Sequence, residues 1–240
     1  MMFSRIAIKR LTIDDLSFFK VRSSFQQRLA GGIDLDSRLL EQFYPSLPQI
    51  IEQRHGQIML TLNLYGPGLA QAYNLPRKIQ KKGSYKNYRL NGEVIDDPTD
   101  TSERFHLLRP GDFVIFDFIG EIEPHAARVV FIAASVDIDS PLHTVLTEFI
   151  GNRSMVDLQP HILEKLLAGV SLPEKHPAYL LILEANLEDA AFDGIAGVSA
   201  LRSGPYLGKV SRQDLDQARK NAERTGRLGE ELLIEYFQKR

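Results

Sequence analysis

The chain has 240 residues, 43% hydrophobic and 25% charged, with a formal net charge of −2 and no cysteine. That length suits one large domain or two modest ones, and the lack of cysteine excludes disulfide frameworks, zinc fingers, thiol catalysis and thiolate-held iron–sulfur clusters. No apolar run approaches the ~20 residues of a membrane span and the N-terminus lacks a signal-peptide pattern, so the expectation is a cytoplasmic protein with no membrane partner.

In chain order, "FSRIAIKRL" (3–11) alternates as a strand does. A polar, loop-like segment follows and ends at Gly31-Gly32, a turn before the short strand "IDL". In "DSRLLEQFYPSL" Asp36 or Ser37 caps a short helix, Leu39, Leu40 and Phe43 form its apolar face, and Pro45 stops it. "QIMLTLNLYG" (57–66) buries Ile58, Leu60, Leu62 and Leu64 on one face of a strand. After the Gly66-Pro67-Gly68 turn, two strands or strand-like arms are expected to meet at a basic turn around Gly83-Ser84. "RPGD" (109–112) reads as the turn of a hairpin between "RFHLL" and "FVIFDFIG", and "ARVVFIAASV" (127–136) as a further strand. Six to eight short strands with closely spaced turns predict a barrel or sandwich over 1–137.

The texture then changes. "SPLHTVLTEFIG" and "LQPHILEKLLAG" carry apolar residues at helical spacing. The segment 176–205 holds one apolar element and a glycine-rich connection. From Ser211, the positions Leu215, Ala218, Ala222, Leu232, Leu233 and Tyr236 predict a long helix running to the end of the chain.

The charge is unevenly spread. Residues 1–92 carry 14 Lys and Arg against 6 Asp and Glu, residues 93–240 carry 15 against 25, and no acid lies between Glu52 and Glu93. Such asymmetry points to a polyanionic partner for the basic half. The stretch "RKIQKKGSYKNYR" (77–89) has six basic residues among thirteen. It offers Arg77, Lys78, Lys81, Lys82, Lys86, Asn87 and Arg89, with Tyr85 and Tyr88 interleaved. A second polar, basic segment offers Lys20, Arg22, Gln26, Gln27 and Arg28, with the hydroxyls of Ser23 and Ser24 suited to phosphates. Arg, Asn and Gln can also read base edges through paired hydrogen bonds. Tyr85 and Tyr88 have two readings: stacking on unpaired bases, or packing on a core as strand residues.

No catalytic constellation emerges. The six histidines show no H-x-x-x-H or H-E-x-x-H spacing, and there is no G-x-S-x-G elbow or Walker A loop. The Asp plus acidic-x-Lys set of a restriction-type nuclease is not supplied either. The chain is expected to need no cofactor and no metal, and to be non-catalytic.

"IKRL", "GGIDLDSRLLEQFYPSL", "AYN" (72–74), "YKNYRL" (85–90) and "PGDFVIFDF" (110–118) occur in an order that resembles the N-terminal effector-binding domain of the EcoRII restriction endonuclease family. The resemblance covers roughly 5–137. It implies a DNA-binding pseudobarrel related to the plant B-three domain, whose two arms enter the major groove. It assigns 20–30 to the first arm and 77–91 to the second, and matches Lys86, Asn87 and Arg89 to the family's Arg-Asn-x-x-Arg-type arm. Tyr88 stands where the family pattern usually has Glu, which puts the base preference in question. "RTGRLGEELLIEYFQKR" resembles the opening helix of a NO VEIN-type nuclease-like domain, and makes Glu230 or Glu231 a candidate for assisting a metal in a nuclease whose catalytic residues would lie beyond Arg240.

The expected fold class is therefore α+β: a β-rich pseudobarrel over 1–140, an α-rich linker or accessory region over 141–210, and a helix over 211–240 opening an effector domain. The expected function is sequence-specific binding of double-stranded DNA, as the recognition domain of a restriction or other defence protein. Phosphates would be met by Lys20, Arg22, Arg28, Lys78, Lys81 and Lys82, and base edges by some of Gln26, Gln27, Lys86, Asn87 and Arg89. A Mg²⁺-dependent endonuclease acting alone, an RNA or single-strand binder, and a protein-interaction domain with an acidic partner are the alternatives.

Overall fold

The computed structural model describes residues 5–19, 31–69, 71–81, 83, 85–91 and 104–182. All fall in the first of two units into which the chain divides, Met1–Ile182. The helix expected from Ser211 and the candidates Glu230 and Glu231 lie outside the described residues.

The described chain has mixed α and β content, built on one eight-stranded sheet that curls into a nearly closed, barrel-like form. Its strands are β1 (Ile6–Arg10), β2 (Gly32–Leu35), β3 (Gln57–Tyr65), β4 (Ala72–Gln80), β5 (Tyr88–Asn91), β6 (Phe113–Ile119), β7 (Ala126–Ile132) and β8 (Met155–Asp157). They follow the order β2-β5-β4-β3-β7-β6-β1-β8. Every pairing is antiparallel except β3 with β7, which runs parallel from Thr61 opposite Ala126 to Tyr65 opposite Val130. The helices are α1 (Ser37–Phe43), α2 (Leu47–Gln53), α3 (Ser140–Ile150) and α4 (Pro160–Ala168).

Side chains close the seam between the two end strands. The Asp36 N–H donates to Met155 Sδ at 3.4 Å, joining the end of β2 to β8. The buried carboxylate of Asp15 accepts the Asp34 N–H at 3.0 Å and sits 3.1 Å from the Lys9 ammonium on β1. A buried charge is tolerated only when paired and hydrogen-bonded. Asp15 meets both conditions, since Thr12 also donates its N–H and hydroxyl.

Two apolar cores follow from strand alternation. Inside the barrel, Ile58, Leu60, Leu62 and Leu64 of β3 meet Leu75, Ile79, Leu90, Val114, Phe116 and Phe131. On the outer face of β1, β6 and β7, Ile6, Ile8, Phe113, Ile115, Val130 and Ile132 meet Leu142, Leu146 and Ile150 of α3, and Leu163 and Leu167 of α4. Strands buried on both faces read as nearly continuous apolar runs, hence "FVIFDF" and "ARVVFI". Each such fully buried side chain contributes roughly 1.5–3 kcal/mol relative to exposure. The described part of the region after residue 140 is thus packed on the barrel and supplies β8 to its sheet.

Two local expectations are corrected. "RFHLL" is not the partner strand of a hairpin, because Phe105–Leu107 forms a single 3₁₀ turn. At "RPGD", Asp112 accepts the Arg109 N–H at 2.6 Å and the Ala134 N–H at 3.0 Å, and the Leu11 N–H donates to its carbonyl. The turn therefore feeds β6 onto β1 and β7. A second helix, α2, follows the expected stop at Pro45, with Pro48 in its first turn.

Candidate nucleic-acid interface

The first arm, with Lys20, Arg22, Ser23, Ser24, Gln26, Gln27 and Arg28, lies outside the described residues, as does Lys82 of the second. The roots of the first arm are defined. Phe19, before it, is buried against Phe105 with ring centroids 5.0 Å apart, and against Phe131 at 5.5 Å. Gly31, after it, leads into β2.

The second arm leaves β4 after Gln80 and returns at Tyr88 on β5. Strand alternation sorts its residues. Lys78 stands opposite Met59 and Asn91 in the outward row. Arg77 falls in the inward row opposite Leu60, with its guanidinium carbon 6.0 Å from the Phe18 ring centre. Tyr85 is 58% exposed at the turn, the side chain of Lys86 is exposed, and Asn87 is half-buried. No ion pair joins Lys78 or Lys86 to another of the described residues.

Tyr88 turns the other way. It faces Leu35 across β2 and β5 and is fully buried. Of the two readings of the tyrosines, packing describes Tyr88, since a buried ring has no face to offer a base. Its hydroxyl donates to Glu41 Oε1 at 3.0 Å. The same oxygen accepts from Lys81 Nζ at 2.9 Å, and that ammonium lies 4.5 Å over the Tyr88 ring. Burial, then the Glu41 hydrogen bond, pushes the Tyr88 hydroxyl well above the ordinary phenol range. The Lys81 hydrogen bond holds the Glu41 carboxyl below the usual carboxylate value of 4.5, outweighing its partial burial. Lys81, expected to meet phosphate, is thus engaged at the base of the arm.

Arg89 lies on the outward face opposite Gln80 and Asp34, with its Nε 3.8 Å from Asp34 Oδ1. It packs across Gly32, where a Cβ would meet Arg89 Nε at 2.7 Å and the Leu90 carbonyl at 2.8 Å. Gly32 thus has a packing reason to be glycine besides the turn that it follows.

Two residues of this site escape sequence reasoning. Glu41 and Ser37 both lie on α1, and the Ser37 hydroxyl donates to the Lys86 carbonyl at 2.6 Å. Nothing in the local sequence links 37 or 41 to 81–88. Elsewhere, His176 Nε2 lies 2.9 Å from Asp139 Oδ1, both fully buried, and His143 Nε2 lies 3.3 Å from Asp112 Oδ1. Both pairs hold α3 and its flanks in place. No group of three or more His, Cys, Asp or Glu among the described residues could hold a metal ion, and no helix among them is long and apolar enough to cross a membrane. No protein-family model matches the chain, and no curated protein matches it.

Proposed function

We propose that the chain recognises double-stranded DNA sequence-specifically, as the recognition domain of a restriction or other defence protein, with its two basic arms in the major groove. On this reading the barrel-like sheet is a DNA-binding pseudobarrel of the plant B-three kind, and a nuclease domain or subunit is its working partner.

One relationship supports this most. The second arm returns at Tyr88, which pairs with Leu35, and the first arm returns at Gly31, beside the Gly32–Asn91 pair. Gly31 and the Leu35 level of Tyr88 therefore lie four positions apart along the same strand pair, ~13 Å at the usual rise of a strand. A major groove is ~12 Å wide. Two basic segments rooted that far apart match the walls of one groove. Lys78 and Lys86 then meet phosphates, while Asn87 and Arg89 reach base edges.

Exposed Tyr85 favours a second reading, in which its ring stacks on an unpaired base and the ligand is a single strand. Fluorescence anisotropy separates the two. A labelled duplex pool is titrated with the chain and challenged with unlabelled duplex or single strand of the same composition. The duplex reading expects duplex to compete better, and better competition by the single strand overturns it.

A further inference from the structure

We propose that Glu41 and Ser37 of α1 are positioning residues for the second arm, holding its two limbs in the geometry that reads a duplex. The inference rests on the DNA-binding reading above and adds the device that sets its specificity.

Glu41 sits in the most basic part of the chain, where a carboxylate would repel a nucleic acid. Its side chain is 36% exposed, yet its Oε1 is taken up by the arm itself. Its Oε1 takes one hydrogen bond from Lys81, at the start of the arm, and one from Tyr88, at its end. Ser37, one helical turn earlier on the same face of α1, takes hold of the Lys86 carbonyl. Three contacts of one helix face, with the Lys81 ammonium over the Tyr88 ring joining the two limbs, thus fix residues 81, 86 and 88.

The helix itself is fixed. Asp36 Oδ1 caps it by accepting the Arg38 N–H at 2.9 Å and the Leu39 N–H at 3.1 Å, and Leu40 is buried in the barrel core. Binding by a preorganised loop avoids the ordering cost that a free loop meets on association. The lowered pKa of Glu41 agrees with a carboxylate kept ionised for this role.

The test compares wild type with Glu41→Ala and Ser37→Ala, neither of which removes a core side chain. Electrostatics alone predicts that Glu41→Ala binds every duplex more tightly, since it removes a negative charge near phosphates. Positioning predicts the reverse for a selected duplex: affinity falls about tenfold, or ~1.4 kcal/mol. Affinity for random duplex is kept or rises, and the salt slope steepens by ~0.9 as Lys81 turns to a phosphate. Ser37→Ala, with no change of charge, lowers the specific-to-random ratio without changing the slope. Amide hydrogen exchange over β5, Tyr88–Asn91, supplies a readout independent of DNA, and both variants should lose protection at its arm end. Unchanged exchange together with an unchanged ratio overturns the positioning role while leaving the DNA reading intact. A wild type that selects no duplex overturns both.

Discussion

The Tyr88 hydroxyl donates to the Glu41 carboxylate at 3.0 Å across 47 positions of sequence. That bond turns a residue of the basic stretch inward and makes it part of the arm's frame. Tyr88→Phe keeps the ring in its buried place and loses one hydrogen bond to a charged group, worth about 1.5–3 kcal/mol at most. Tyr88→Ala opens a cavity in the barrel and should cost ~3–5 kcal/mol. Denaturant melts of the two variants check the difference.

Lys86 and Asn87 are neighbours with different expected effects. Lys86→Ala should weaken binding to all duplexes alike and reduce the salt slope by about one. Asn87→Ala should leave the slope unchanged and relax selectivity by ~1–3 kcal/mol at one base pair. Titrations of a selected and a random duplex at several salt concentrations read both. Equal losses on every sequence from both changes would remove the division of labour.

Gly32→Ala tests the packing of Arg89. The added Cβ would meet Arg89 Nε at 2.7 Å and the Leu90 carbonyl at 2.8 Å. The carbonyl is backbone and yields little, so β2 must shift, at a cost of ~1–3 kcal/mol. Stability should fall, and Arg89 should leave its place beside Asp34. A melt together with the specific-to-random binding ratio follows both effects. An unchanged melt would show that the sheet edge adapts freely.

Asp112 sets an acid limit on the fold. Burial opposes its charge, but the His143 contact and the Ala134 and Arg109 N–H donors outweigh that and hold its pKa below the ordinary 3.8. A carboxyl lowered in the folded state stabilises above its unfolded pKa, and that contribution is lost as pH falls through the folded value. Stability should therefore drop below about pH 4. Asp112→Asn should be less stable at neutral pH and flatter over that acid range. A variant with the wild-type acid profile would assign the loss to other carboxylates.

How much of this was legible depended on whether the signal was local. The alternation of Ile58, Leu60, Leu62 and Leu64 defined β3, and the apolar spacing in α3 and α4 was equally plain. The basic turn between two strands is there as well, between Gln80 and Tyr88. The strand β8 was not legible, because Met155–Asp157 is too short to show a period and is a strand only through its pairing with β1. The hairpin expected at "RPGD" failed because its turn is held by the side chain of Asp112, and by Ala134 more than twenty positions on. At the site, composition pointed to 77–89 but could not sort it. The inward turn of Tyr88 comes from its register with Leu35, and the engagement of Lys81 comes from Glu41, 40 positions away. Contacts between distant segments leave no periodic trace.

The most direct test of the central claim is selection from a randomised duplex library at moderate salt, with the bound fraction sequenced. A sequence-reading domain enriches a short motif, and the motif is lost when Asn87 or Arg89 is replaced by alanine. Binding without enrichment would contradict that claim and leave a module that grips phosphates without reading sequence, and no binding even at low salt would contradict it and leave the basic segments as solvated loops on a barrel.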